Sequence, residues 1–102
     1  MSEEAIKRRC ADAKQKVMQE YRDRGYDVKK SDNEKVCFIA TDKALTHECE
    51  VRVCIDQITD QDVKIMLALS ALPNQRKVIE CRLAGSSRRI TRVYDHLNNL
   101  CQ

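Results

Sequence analysis

The sequence predicts an α/β domain bordering on α+β: a mixed four-stranded sheet flanked by helices, in the order α-β-β-β-α-β-α. Three observations predict it. Both ends of the chain carry apolar residues at three- and four-residue spacing, the helical period. The middle holds three short runs at strand spacing, bounded by polar turns. A capped helical stretch then leads to a fourth run, the pattern of a crossover between parallel strands, which is right-handed.

The first helix is expected over residues 3–24. Ile6, Cys10, Ala13, Val17 and Tyr21 form a narrow apolar stripe. Ser2 suits the N-cap, Glu3 and Glu4 suit the positive end of the helix dipole, and Arg22 and Arg24 suit the other end. Gly25 supplies the left-handed residue that stops the helix. The polar side carries Lys7, Arg8, Arg9, Lys14 and Lys16, which solvent explains as well as a ligand does.

Tyr26 to Lys30 alternates polar and apolar residues as a first strand, and residues 31–34 make a turn. Val36 to Ala40 is a continuous apolar run, expected of a central strand covered on both faces. Glu48 to Ile55 alternates cleanly, with Cys49, Val51, Val53 and Ile55 on one side and Glu48, Glu50, Arg52 and Cys54 on the other. The second helix is opened by Thr59 with Asp62 in the capping-box position and Ile58 and Val63 as a staple. Its body runs through Met66, Leu67, Leu69 and Leu72, and Pro73 closes it. Lys77 to Leu83 forms the fourth strand. Ile90, Val93, Tyr94, Leu97 and Leu100 predict a C-terminal helix opened by Ser86 or Ser87 after Gly85.

These elements make one domain spanning residues 1–102, a length that buries one ordinary core. A 42% hydrophobic content argues against disorder, and two Gly and one Pro argue for dense regular structure. No apolar run approaches a membrane span. The acidic start, Met1 to Ala5, lacks the features of a signal peptide, so a cytoplasmic location is expected. The six Cys form no Cys-x-x-Cys pair, and on a strand Cys49 and Cys54 point to opposite faces. They are expected to be reduced thiols acting as small core hydrophobes, with no metal site.

The net charge of +3 is uneven. Residues 36–73 hold 3 basic and 6 acidic groups, whereas residues 74–102 hold 6 and 2. A basic final third hints at a polyanionic partner. Gly85-Ser86-Ser87-Arg88-Arg89, with Arg92 one turn on, would place free N–H groups, hydroxyls and three guanidinium groups at a helix start. Ser86, Ser87, Arg88, Arg89 and Arg92 are therefore the candidate DNA- or RNA-binding residues. Acidic residues elsewhere in the fold, or solvent, would answer those charges equally well.

The second candidate site is on the third strand. Period two puts Glu50 and Arg52 on one side, and Glu80 and Arg82 repeat the spacing on the fourth strand. Neighbouring strands would gather the four into a charged cluster, serving either a site or a cross-strand ion-pair ladder.

The element order and the Glu50-Val51-Arg52 triplet resemble the restriction-endonuclease-like domains of the PD-(D/E)XK nuclease superfamily. The resemblance covers residues 3–83 and implies a helix, a three-stranded meander, a helix and a further strand. It also implies a metal held by an Asp early on the second strand and by the carboxylate of a Glu-x-Lys triplet on the third. Glu50 falls where the third-strand carboxylate belongs, and Arg52 stands in place of the Lys, which it cannot replace as a proton donor. No acid occurs at Val36-Cys37, where the Asp should be, and Asp42 is the nearest substitute. The resemblance thus implies a catalytically degenerate member.

Three readings follow. The first is a nucleic-acid-associated, inactive domain without a cofactor. The second is a non-enzymatic protein-interaction or assembly module, as a homodimer or with a protein partner. The third is a metal-dependent endonuclease using Mg²⁺ on Glu50 with Asp42 or Glu80, with Arg52 beside them.

Overall fold

The computed structural model describes residues 2–42, 44, 47–83 and 88–101. Helix α1, Glu3–Asp23, begins where Ser2 Oγ accepts from the Ala5 amide at 3.2 Å. It ends at Arg24, followed by Gly25 with φ +91°, a conformation open to glycine and strained for other residues. Strand β1, Tyr26–Lys30, follows as the alternation implies.

Strand β2, Phe38–Asp42, starts two residues later than the apolar run suggests. Val36 and Cys37 remain outside it, yet Val36 is buried and the Cys37 amide donates to Val51 O at 2.8 Å. Strand β3 spans His47–Ile55 and helix α2 spans Asp60–Leu67. Thr59 and Asp62 form the reciprocal capping box that opens α2. The helix stops short of Leu72, the Lys77 ammonium donates to the Leu67 and Leu69 carbonyls at its end, and Leu72 is left 63% exposed. Strand β4 is Gln75–Arg82.

The C-terminal helix is not formed. Arg89–Tyr94 is instead a fifth strand, β5, pairing antiparallel with β4. The β-branched Ile90, Thr91 and Val93 and the ring of Tyr94 favour a pleated surface, and the edge of β4 offers unpaired backbone groups. Asp95 then ends the strand by accepting the Leu97 and Asn99 amides. Asn98 takes φ +66°, and Leu100 bridges back to Tyr94. Leu97 and Leu100, expected on a buried helical stripe, are 68% and 64% exposed.

The sheet is therefore five-stranded, in the order β1-β2-β3-β4-β5, and two helices flank it. All neighbours are antiparallel except β3 and β4, which α2 joins as a parallel crossover. One face packs Phe38, Ala40, Val51 and Val78 against Val17, Met18 and Tyr21 of α1. The other packs Val36, Ile79 and Tyr94 against Met66 of α2. Among the described residues, no helix is long and apolar enough to cross a membrane. All six cysteines are free, but Cys10 and Cys101 are exposed rather than part of the core.

Candidate functional site

The register of β3 against β4 decides which charged groups meet. Glu50 lies opposite Lys77, Val51 opposite Val78 and Val53 opposite Glu80. Glu50 and Arg52 thus share the α2 face with Lys77 and Ile79, whereas Glu80 and Arg82 share the α1 face with Val78. The expected four-group cluster is divided by the sheet itself. Asp42, two residues beyond Ala40 on β2, also falls on the α1 face. Glu50 is therefore separated from both carboxylates proposed to share a metal with it. Among the described residues, no group of three or more His, Cys, Asp and Glu side chains could hold a metal ion.

On the α2 face Arg52 is held at two points. Its Nε donates to Asp62 Oδ1 at 2.9 Å and its Nη1 donates to Lys35 O at 2.7 Å. It clamps the loop before β2 to the first turn of α2. Burial works against the Asp62 charge, but the Thr59 amide, Arg52 and the Thr59 hydroxyl outweigh it and hold the carboxyl below its ordinary value. Burial pushes the Glu50 carboxyl up, against the pull of Lys77, and its Oε1 is buried without a hydrogen-bond partner. Lys77 is itself 1% exposed and donates to Leu67 O, Leu69 O and Asn98 Oδ1.

The five residues proposed to bind nucleic acid separate as well. Ser86 and Ser87 lie outside the described residues. No helix begins after them, so the dipole argument does not apply to Arg88, Arg89 and Arg92. Arg88 precedes β5, and its carbonyl accepts from the Leu83 amide at 3.2 Å. Arg89 lies on the α1 face, paired with Glu20 and standing 3.6 Å from Glu80. Arg92 is exposed and lies opposite Ile79, on the α2 face.

What the fold does assemble is a cavity of about 410 Å³ on the α1 face, at the C-terminal end of that helix. Three guanidinium groups line it, from Arg24 after α1, Arg76 on β4 and Arg89 on β5, together with His47, Asp42 and Glu80. Arg24 lies 4.3 Å from the centre of the Tyr21 ring and 5.5 Å from that of Tyr26. The two rings meet edge to face at 5.1 Å. Among the described residues neither Arg24 nor Arg76 has a carboxylate within ion-pair distance, whereas Arg82 and Arg89 both pair with Glu20.

Glu80 forms part of the lining and is 0% exposed. Burial pushes its carboxyl up; Thr91, Arg24, Tyr21 and Arg82 oppose the shift in part. Thr91 and Tyr21 approach it without meeting hydrogen-bond geometry, so neither carboxylate oxygen has a hydrogen-bond partner. Burial likewise raises the Cys49 thiol in the same cavity, which keeps it protonated and a poor nucleophile.

Sequence reasoning found Asp42, Glu80 and Arg89 but not Arg24, Arg76 or the Tyr21–Tyr26 pair. Arg24 carried one signal, its place beside Gly25 and Tyr26 at the helix stop. Arg76 carried none. No model of a known protein family matches the chain, and neither a curated protein nor a solved structure matches it.

Proposed function

We propose that this chain is a nucleic-acid-associated domain with a restriction-endonuclease-like fold that has lost its catalytic centre. The observation that carries the reading is the pair of arginines, Arg24 and Arg76, brought to one cavity without carboxylate partners among the described residues. A guanidinium fork matches two phosphate oxygens, and placing two forks at one cavity favours a phosphodiester over solvent. The exposed Lys7, Arg8 and Lys16 of α1 extend the positive charge on that helix.

The helix, meander, helix and strand that the family resemblance implies occur in that order, with β3 and β4 parallel. The side chains support the loss of the catalytic centre. Arg52, at the position of the catalytic Lys, is held by Asp62 and by the Lys35 carbonyl. Glu50 stands on the face opposite Asp42 and Glu80, so these carboxylates cannot share one Mg²⁺.

The test is fluorescence anisotropy with labelled single- and double-stranded DNA and RNA at low and moderate salt. Binding that weakens steeply with salt is expected, since phosphate contacts release counterions. Arg24→Ala/Arg76→Ala should weaken it roughly tenfold or more and flatten the salt slope by about two phosphates. Absence of binding at low salt would overturn the reading.

One observation favours the assembly reading as the second choice. Leu72, Leu97 and Leu100 are 63%, 68% and 64% exposed, on segments at either side of the Lys77 and Asn98 contact. A concentration-dependent dimer in light scattering, abolished by Leu97→Ser/Leu100→Ser, would support that reading.

A further inference from the structure

The cavity has two poles of opposite character. At its rim Arg24 and Arg76 offer guanidinium groups without acidic partners among the described residues. At its floor the Glu80 carboxylate is fully buried, and both oxygens lack a hydrogen-bond partner. Burial favours the protonated form of Glu80, whereas N–H donors brought by a ligand favour the ionised form, which only accepts. A ligand completing this site therefore brings N–H donors to Glu80 and an anion to the arginines.

A nucleotide carries both. Among the nucleobases only guanine presents two adjacent donors, N1–H and the 2-amino group, on its Watson–Crick edge. Adenine and cytosine each set one donor beside an acceptor, and uracil and thymine set one donor between two acceptors. A carboxylate facing that edge therefore selects guanine. The volume of about 410 Å³ lies within the range of pockets that enclose small ligands. Tyr26, half-buried beside Arg24, gives the cavity an aromatic wall.

We propose that the cavity takes one guanine nucleotide unit, its Watson–Crick edge on Glu80 and its phosphate on Arg24 and Arg76. The unit is either a free nucleotide or an unpaired base of a strand, in which its edge is open to be read. The inference rests on the nucleic-acid reading for the phosphate contact only. Arg89 covers Glu80 at 3.6 Å, but its close partner is Glu20. Because both Glu80 oxygens are buried, the base reaches them only as Arg89 swings off the carboxylate, and Glu20 retains its guanidinium.

The test is isothermal titration of the full chain, at low salt, with guanosine, inosine, adenosine and uridine 5′-monophosphates and with guanosine. The guanosine monophosphate is expected to bind at least tenfold tighter than the adenosine or uridine compound. The inosine compound, which lacks the 2-amino group, should fall roughly tenfold below it, the usual size of one lost N–H bond to a charged acceptor. Guanosine, lacking phosphate, should be weaker by a similar factor. Glu80→Gln should bring guanine and adenine nucleotides to equal affinity, while Arg76→Ala weakens all of them alike. If Glu80→Gln fails to fold by circular dichroism, the guanine-to-inosine ratio on the unaltered chain decides the matter. Equal affinity for every base, or no mononucleotide bound, overturns the inference.

Single-stranded oligothymidines with one central G or one central A separate the two proposals. Equal, salt-sensitive binding of both overturns guanine selection and leaves the nucleic-acid reading standing. Binding of neither, with guanosine monophosphate still bound, overturns the nucleic-acid reading and assigns the site to a free nucleotide.

Discussion

Arg52→Ala should cost this domain stability rather than activity. The substitution removes two charge-assisted hydrogen bonds, to Asp62 at 2.9 Å and to the Lys35 carbonyl at 2.7 Å. Bonds of this kind contribute about 1.5–3 kcal/mol each when well buried. The two side chains are 24% and 11% exposed, so water replaces part of what is lost. Asp62 also keeps its bonds to Thr59. A loss of about 2–3 kcal/mol is expected in urea denaturation at neutral pH, or roughly 10–20 °C in Tm for a domain of this size. Arg52→Lys keeps the charge but not the two-point reach, and should lose roughly half as much.

The deficit should also depend on pH with a definite sign. The native carboxyl of Asp62 is held below its ordinary value, so the stability it contributes is complete above that ordinary value. That stability is lost as pH falls through the lowered native value. The gap between Arg52→Ala and the unaltered chain should therefore narrow in strong acid. A cost below about 0.5 kcal/mol would refute the clamp, because substitutions with no specific role fall within that range. Mg²⁺- or Mn²⁺-dependent DNA cleavage gained by Arg52→Lys would instead refute the loss of the catalytic centre.

Two further outcomes follow from the same face of the sheet. Lys77→Met keeps the chain length but takes the donor from Leu67 O, Leu69 O and Asn98 Oδ1. It should cost about 1–3 kcal/mol and speed amide exchange over residues 95–101; unchanged exchange there would show that Lys77 does not hold the tail. Burial raises the Glu50 carboxyl, so native Glu50 retains a proton that the unfolded chain releases, and its contribution to stability falls as pH rises from the ordinary glutamate value to the raised native one. Glu50→Gln should therefore raise Tm by a few degrees at pH 7 and converge with the unaltered chain in acid. A lower Tm at pH 7 would mean that the charge is needed.

The sequence by itself determined the elements whose signals are local. Ser2 and Gly25 bound α1, and Thr59 with Asp62 opens α2, because caps and left-handed residues act within a few positions of the backbone they satisfy. The alternation of β3 and the crossover through α2 were legible for the same reason. The last segment was not. Ile90, Val93, Tyr94 and Leu97 fit a helical period, but the same residues fit a β-branched strand, and the open edge of β4 decided between the two. The candidate site was legible only as single residues. Glu50 pairs with Lys77 and Glu80 with Val53, an odd offset that puts the two carboxylates on opposite faces, and no feature within either strand specifies it. Arg24 and Arg76, far apart along the chain, line one cavity only because α1 lies across β1 and β3 and its last turns reach β4 and β5 through the Glu20 ion pairs. Register and helix placement arise from contacts between distant segments, so tertiary structure alone decided which charges meet.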